Sequence, residues 1–227
     1  VVYVGSDDGK VYALDAATGR ERWSFDTDGP VRSSPAVVKE VVYVGSDDGK
    51  VYALDAATGR ERWSFHTDGP VRSSPAVVKE VAYVGSDDGN VYAIDAATRR
   101  ARWSFVVSRW IPAGWSSPVV ADGVVYVGSA NGNVYAIDAA TGQERWSHRV
   151  NDWSFGESRM WPSPVVADGV VYAGGDEGKV YAIDAAAGWK RQTFATGGSV
   201  VSTPAVADGM VYVGAADKVY AFLPTRN

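Results

Sequence analysis

Short apolar runs alternate along this chain with polar clusters rich in Gly, Asp and Ser. Residues 41–80 show the pattern with four runs, at Val41–Gly45, Val51–Asp55, Glu61–Phe65 and Ser73–Val78. The runs are rich in Val, Tyr and Trp, which suit a pleated and packed surface. The first two runs are joined by Ser-Asp-Asp-Gly, and Asp-Gly favours the positive φ of a tight hairpin turn. Because no apolar stripe has the roughly 3.6-residue period of a helix, the pattern predicts an all-β fold.

This pattern repeats along the whole chain. Residues 1–40 and 41–80 are identical except that Asp26 becomes His66, residues 81–105 begin a third copy, and weaker copies follow. Four antiparallel strands in a repeat of about forty residues are typical of a β-propeller blade. Residues that recur in every copy are expected to build the scaffold, so function is expected where the copies disagree.

The count of copies predicts six blades in a single domain over residues 1–227. The chain begins with a second strand, Val1–Gly5, and ends near a third strand, Val219–Leu223. The first blade therefore lacks its inner strand and the last blade its outer strand, which leaves exposed strand edges. Either the chain has been shortened, or another chain fills the gap by strand exchange or edge pairing.

An eleven-residue segment from Ala13 to Trp23, ALDAATGRERW, recurs at residues 53–63, 93–103 and 136–146. The third copy has Arg99 at the Gly position. The segment resembles the tryptophan-docking motif of quinoprotein alcohol dehydrogenases and other PQQ-like propellers. The resemblance implies a PQQ-like β-propeller and an extracytoplasmic location, periplasmic or secreted. Four indoles are expected to be structural because each buries a large area against the next blade: Trp23, Trp63, Trp103 and Trp146.

Composition narrows the classes of function. Apolar residues make up 46% and charged residues 22%, and the net charge is −5 with acids in every copy. Since no basic stripe is present, the sequence argues against nucleic acid or an anionic membrane surface as a partner. No apolar run approaches the roughly 20 residues that span a bilayer. The chain has no cysteine, which excludes disulfides and thiolate metal sites.

The copies disagree most in two insertions. Residues 106–115 (VVSRWIPAGW) and 150–161 (VNDWSFGESRMW) are three and six residues longer than their counterparts. Both are predicted to connect an outer strand to the next inner strand, on the face that carries the hairpins, where loops on a rigid scaffold commonly carry function. They supply six of the candidate ligand-binding residues: Arg109, Trp110, Trp115, Trp153, Arg159 and Trp161.

The copies also differ at the position three residues before the Pro that leads into the inner strand. In successive copies it is Arg32, Arg72, Trp115, Trp161 and Val201, and Ser33, Ser73, Ser116 and Ser202 lie next to it. One hypothesis is an asymmetric pocket, in which indoles and guanidinium groups hold a planar or anionic ligand by stacking and bidentate contacts. The alternative is that the Trp residues plug or cover the central channel while the Arg residues pair with nearby Asp.

Catalytic and metal-binding signatures are not recognised. The repeated Ser-Asp-Asp-Gly-Lys lacks the ending of a phosphate loop and the spacing of a calcium loop, which favours a plain hairpin turn. His66 and His148 are expected to be surface or packing residues. No catalytic residue and no metal site is predicted.

We therefore predict a non-catalytic binding or scaffold module that recognises a protein or small ligand on its loop face, without a cofactor. The alternative is a PQQ-dependent oxidoreductase-like protein that binds the quinone with Ca²⁺. The dehydrogenases that the chain resembles carry adjacent cysteines and generally eight blades, whereas this chain has six short blades and no cysteine. A purely structural role and an engineered repeat also stay open.

Overall fold

The computed structural model describes residues 1–107, 116–150, 162–175, 177–200, 202–216 and 218–224. Within these ranges the strands form six antiparallel sheets, with three strands in the first and last sheets and four in the others. The predicted all-β, six-bladed propeller with incomplete first and last blades is confirmed. None of the described residues belongs to a helix long and apolar enough to cross a bilayer.

Contacts divide the chain into two compact units, Val1–Gly114 and Trp115–Asn227, and the single domain over 1–227 stays a prediction. The first unit contains β1 Val2–Gly5, β2 Lys10–Leu14, β3 Glu21–Asp26, β4 Ala36–Val38, β5 Val41–Gly45, β6 Lys50–Asp55, β7 Glu61–His66, β8 Ala76–Val78, β9 Val81–Gly85, β10 Asn90–Asp95 and β11 Arg100–Val106. These strands form the sheets β1-β2-β3, β4-β5-β6-β7 and β8-β9-β10-β11, in which chain neighbours pair.

The second unit repeats this organisation. Its strands are β12 Val119–Ala121, β13 Val124–Gly128, β14 Asn133–Asp138, β15 Glu144–Arg149, β16 Val165–Ala167, β17 Val170–Gly175, β18 Lys179–Asp184, β19 Lys190–Ala195, β20 Ala205–Ala207, β21 Met210–Ala215 and β22 Lys218–Phe222. They form the sheets β12-β13-β14-β15, β16-β17-β18-β19 and β20-β21-β22.

The second sheet shows why its central strand is apolar on both sides. Val42 and Val44 of β5 pack in one cluster with Val11 of the first sheet. Tyr43 packs in another cluster with Val84 of the third sheet. Because alternate residues of a strand point to opposite faces, both faces of this sheet are covered by its neighbours, and β5 is buried throughout.

A β-bulge places a structural ion pair at the outer edge of the blade. In the second sheet Ala53 pairs with Trp63 but Leu54 pairs with Glu61, so Arg62 is the extra residue of β7. The Arg62 guanidinium donates to Oδ2 of Asp55 at 2.6 Å. Equivalent pairs occur in the other blades that have an outer strand: Arg22–Asp15, Arg102–Asp95, Arg145–Asp138 and Arg191–Asp184.

The same carboxylate also holds the turn that follows β6. Oδ1 of Asp55 accepts hydrogen bonds from the Thr58 amide at 2.9 Å and the Thr58 hydroxyl at 2.8 Å. The Arg62 guanidinium and these turn donors lower the pKa of Asp55 to about 2. The recurrence of Asp, Thr and Arg at fixed spacing is therefore explained by one turn and one bulge.

Candidate functional site

The two described arginines of the predicted pocket lie beside the hairpins that join the second and third strands. Arg72 donates from Nε to Oδ1 of Asp47 at 2.9 Å and from Nη1 to Oδ2 of Asp87. Asp47 belongs to the hairpin of the second sheet and Asp87 to that of the third. Arg72 therefore bridges two neighbouring blades, and the hydrogen bond with Asp47 raises the pKa of Arg72 above its ordinary value.

Arg32 repeats this arrangement one blade earlier. Its Nε donates to Oδ1 of Asp7 at 3.0 Å, and its Nη1 donates to Oδ2 of Asp47. The first unit thus carries a row of five alternating charges, which we call the charge row: Asp7, Arg32, Asp47, Arg72 and Asp87. Both guanidinium groups are occupied by carboxylates, as the alternative interpretation expects of the arginines.

The second Asp of the hairpin has a different structural task. In the second sheet Oδ1 of Asp48 accepts from the Lys50 amide at 2.8 Å, and Oδ2 accepts from the Tyr52 hydroxyl. This Asp therefore closes the hairpin and anchors the strand that leaves it. Among the described residues, no three His, Asp or Glu side chains lie close enough to share a metal ion.

The serines beside the arginines form hydrogen bonds with the backbone of the sheet. Ser73 is buried, and its hydroxyl accepts from the Gly85 amide at 2.8 Å and donates to the Gly85 carbonyl at 3.0 Å. These bonds tie the segment before the inner strand to the adjacent second strand. The same exchange occurs at Ser33 with Gly45 and at Ser202 with Gly214. These hydroxyls are therefore engaged with backbone groups.

Both histidines contact backbone carbonyls. Nδ1 of His66 lies 2.8 Å from the Thr67 carbonyl oxygen, and Nδ1 of His148 lies 3.0 Å from that of Gly188. Burial lowers the pKa of His148. His66 is a surface residue, whereas His148 is partly buried and packs against the next sheet.

The remaining residues of the predicted pocket lie outside the described residues: Trp115, Trp161, Arg109, Trp110, Trp153 and Arg159. Their part in a ligand site stays a prediction, as do the absence of a cofactor and its alternative of PQQ with Ca²⁺. On the described side of the site, Asp47 brings Arg32 and Arg72 together, and both guanidinium groups already contact acceptors. That half of the site does not fit an anionic quinone.

Arg99 stands at the glycine position of the repeated turn, and the sequence pattern assigns it no role. In the structure Arg99 lines a groove of about 370 Å³ between the second and third sheets, together with Tyr43 and Trp63. Arg99 has φ +60°, in the left-handed region. A side chain at a turn position that favours glycine was the signal that could have marked this groove.

The repeat and its geometry agree with comparisons to known proteins. A family model described as outer membrane protein assembly factor BamB matches residues 7–163 and 151–227. Among solved structures, the computationally designed protein Ika8 superimposes with a TM-score of 0.81 at 21% identity, covering 98% of this chain and 67% of that one. BamB from Moraxella catarrhalis superimposes with a TM-score of 0.62 at 21% identity, covering 96% of this chain and 77% of that one.

The two structural matches show the fold, because their identity to this chain is low. No curated protein matches the sequence. The family match spans nearly the whole chain and coincides with the repeated sheets. The chain therefore belongs to the family of PQQ-like β-propellers described as outer membrane protein assembly factor BamB.

Proposed function

We propose that the chain is a non-catalytic scaffold that binds a partner protein through the two insertions at residues 106–115 and 150–161. The observation that carries this proposal is the charge row, because its guanidinium and carboxylate groups hold neighbouring blades together. The described hairpins thus serve as a rigid frame. The part of the sequence left for recognition is the part that departs from the repeat.

The composition of the insertions supports protein recognition. They contain four Trp and two Arg residues in a short stretch of sequence. Trp and Arg are enriched among the residues that dominate protein–protein binding energy. An aromatic and cationic pair of loops on a stiff support therefore suits a partner surface with apolar and acidic groups.

The family match supports a proposed cellular location and a class of partner. Because the matching family is described as an outer membrane protein assembly factor, we place this chain in the extracytoplasmic space, as a periplasmic or secreted protein. The proposed partner is another protein of an outer membrane assembly machinery. The second candidate function is the binding of a small ligand by the same two insertions.

The proposal is tested by crosslinking in intact cells. A photo-crosslinking amino acid is introduced at position 110 or 153, with position 60 as the control because Arg60 is exposed and belongs to the repeat. The expected result is one partner band at 110 and 153 that is missing at 60. Equal bands at all three positions, or none at 110 and 153, would show that the insertions do not bind a protein.

The oxidoreductase alternative has its own measurement. Titration with PQQ and Ca²⁺ is followed by Trp fluorescence and then by dye-linked alcohol oxidation. The proposal expects no saturable quenching and no oxidation. Saturable quenching with turnover would replace the scaffold by a quinone enzyme.

A further inference from the structure

The groove between the second and third sheets differs from two equivalent junctions, between the first and second sheets and between the fourth and fifth sheets. It is lined by apolar side chains and by Lys39, Tyr43, Arg62, Trp63, Glu80 and Arg99. Its distinguishing residue is Arg99, which stands at the position of glycine in the other copies. All four of those glycines have positive φ: Gly19, Gly59, Gly142 and Gly188.

At the junction of the first and second sheets, glycine lets an indole pack against the turn. A methyl carbon built on Gly59 would lie 2.6 Å from Cε3 of Trp23, so the position has no room for a side chain. Trp23 donates from Nε1 to the Ala56 carbonyl at 3.0 Å, and Tyr3 donates to the same oxygen at 2.9 Å. The indole and the phenol are thus held by one acceptor.

The second unit shows the same arrangement. A methyl carbon on Gly188 would lie 2.6 Å from Cδ2 of Trp146. Trp146 and Tyr126 both donate to the Ala185 carbonyl, each at 3.0 Å. In both junctions, one in each unit, a glycine at this position occurs together with a carbonyl oxygen that accepts two hydrogen bonds.

At the Arg99 junction these two bonds are not made. Among the described residues, neither the Tyr43 hydroxyl nor the Trp63 indole N–H donates a hydrogen bond, although both side chains line the groove. Tyr43 is only 4% exposed and Trp63 only 7% exposed. Because the position holds Arg rather than Gly, the Tyr and Trp donors that bond to a carbonyl at the other two junctions make no such bond to a described residue here, and both side chains line the groove.

The charges around the groove leave one cation available. Arg62 pairs with Asp55 at 2.6 Å and Lys39 pairs with Glu80 at 2.8 Å. Arg99 is exposed and makes no ion pair with any residue that the structure describes. The groove thus offers one unneutralised guanidinium group beside two neutral donors.

We propose that this groove binds a carboxylate, carried by an Asp or Glu side chain of an extended segment of a partner protein. The Arg99 guanidinium pairs with the carboxylate, since its planar fork matches that anion. The Tyr43 hydroxyl and the Trp63 indole N–H donate to its oxygens or to neighbouring peptide carbonyls. One unpaired positive charge balances a carboxylate better than a phosphate monoester, which carries a charge of about −1.5 to −2.

This inference goes beyond the proposed function, because it concerns residues outside the two insertions and holds whether or not the insertions bind a partner. In the proposed complex, the apolar part of the groove contacts the partner residues on either side of the Asp or Glu. In the equivalent junction of the second unit, Gly188 stands in place of Arg99 and Asp122 in place of Lys39. That junction provides an internal comparison without the guanidinium group.

The test follows the Trp63 indole N–H in two-dimensional NMR spectra, assigned by its loss in Trp63→Phe. The probe is a blocked pentapeptide with a central Glu between Ala residues, and its matched control has Gln in place of Glu. We expect a saturable shift with the Glu peptide only. We also expect that Arg99→Gly weakens the binding about tenfold or more, because a charge-assisted contact is lost.

One further variant and one further ligand complete the test. Arg99→Gly restores the residue of the other copies and is expected to fold, while Arg60→Gly removes another exposed Arg and should leave the shift unchanged. Equal shifts with the Gln peptide, no saturation with the Glu peptide, or a stronger shift with inorganic phosphate would overturn the proposal. The crosslinking at positions 110 and 153 is unaffected by any of these outcomes.

Discussion

Replacing Gly188 by Ala tests whether the indole of Trp146 is seated on a residue without a side chain. Gly188 has φ +74°, and a methyl carbon there would lie 2.6 Å from Cδ2 and Cγ of Trp146 and 2.9 Å from its Cβ. Because Cβ is fixed to the backbone, rotation of the indole alone cannot clear the contact. The substitution must therefore move the β15 backbone or the turn.

Gly169→Ala is the matched control within the same sheet. Gly169 has φ +70°, and a methyl carbon there meets nothing within 4 Å. Its expected cost is the left-handed backbone alone, about 1–2 kcal/mol, reduced by about 0.4–1 kcal/mol because Ala restricts the unfolded chain. Gly188→Ala carries the same backbone cost and in addition about 1–3 kcal/mol of overpacking.

We therefore expect Gly188→Ala to lower the free energy of unfolding by about 1–3 kcal/mol more than Gly169→Ala does. The assay is equilibrium urea unfolding followed by circular dichroism, with Trp fluorescence as a second probe. A change in slope with urea would indicate that the unfolded or native state had changed rather than stability alone. Equal losses for the two variants would refute the packing argument.

Two other predictions follow from the ion pairs. Arg72→Ala should lower the free energy of unfolding by about 2–4 kcal/mol, because both carboxylates that Arg72 pairs with, Asp47 and Asp87, are largely buried. Arg32→Ala should cost about 0–1 kcal/mol, because Arg32 is more exposed, Asp7 is exposed and Asp47 keeps its pair with Arg72. Urea unfolding of both variants checks this, and equal effects contradict it. The Arg62 and Arg145 guanidinium groups lower the pKa of Asp55 and of Asp138 from 3.8 to about 2, so the stability that these carboxylates contribute is complete above about pH 4 and lost as the pH falls towards 2. Carbon-13 NMR titration of the two carboxyl groups checks the pKa values, and midpoints near 3.8 would contradict the pairing.

The strands were predictable because their signal is local. The second strand Val41–Gly45 has the predicted bounds, and the third and fourth strands differ from the prediction by one residue at one end. The inner strand was predicted from Ser73 but begins three residues later, at Ala76. Apolar runs separated by Asp-Gly turns specify such hairpins without reference to the rest of the chain. Sixfold repetition then specified the number of sheets.

The contacts between blades were predictable only in part. The alternative interpretation foresaw that Arg32 and Arg72 pair with Asp, but which carboxylates they choose depends on how neighbouring hairpins face each other. The use of Ser73 by the Gly85 backbone was not foreseen, because a serine beside an arginine looks the same in sequence whether it faces a ligand or a strand. Arg99 was visible as a departure from the repeat, yet its effect on Tyr43 and Trp63 emerges only from the packing of two sheets.

The charge row also bears on how such a chain can lengthen. The hairpin carboxylate of the second copy, Asp47, receives Arg32 of the preceding copy on one side and Arg72 of its own copy on the other. Tandem duplication of the coding segment therefore delivers both halves of a new junction at once, with no compensating mutation required. Selection could then act on a freshly added blade for new recognition while its attachment was already secured.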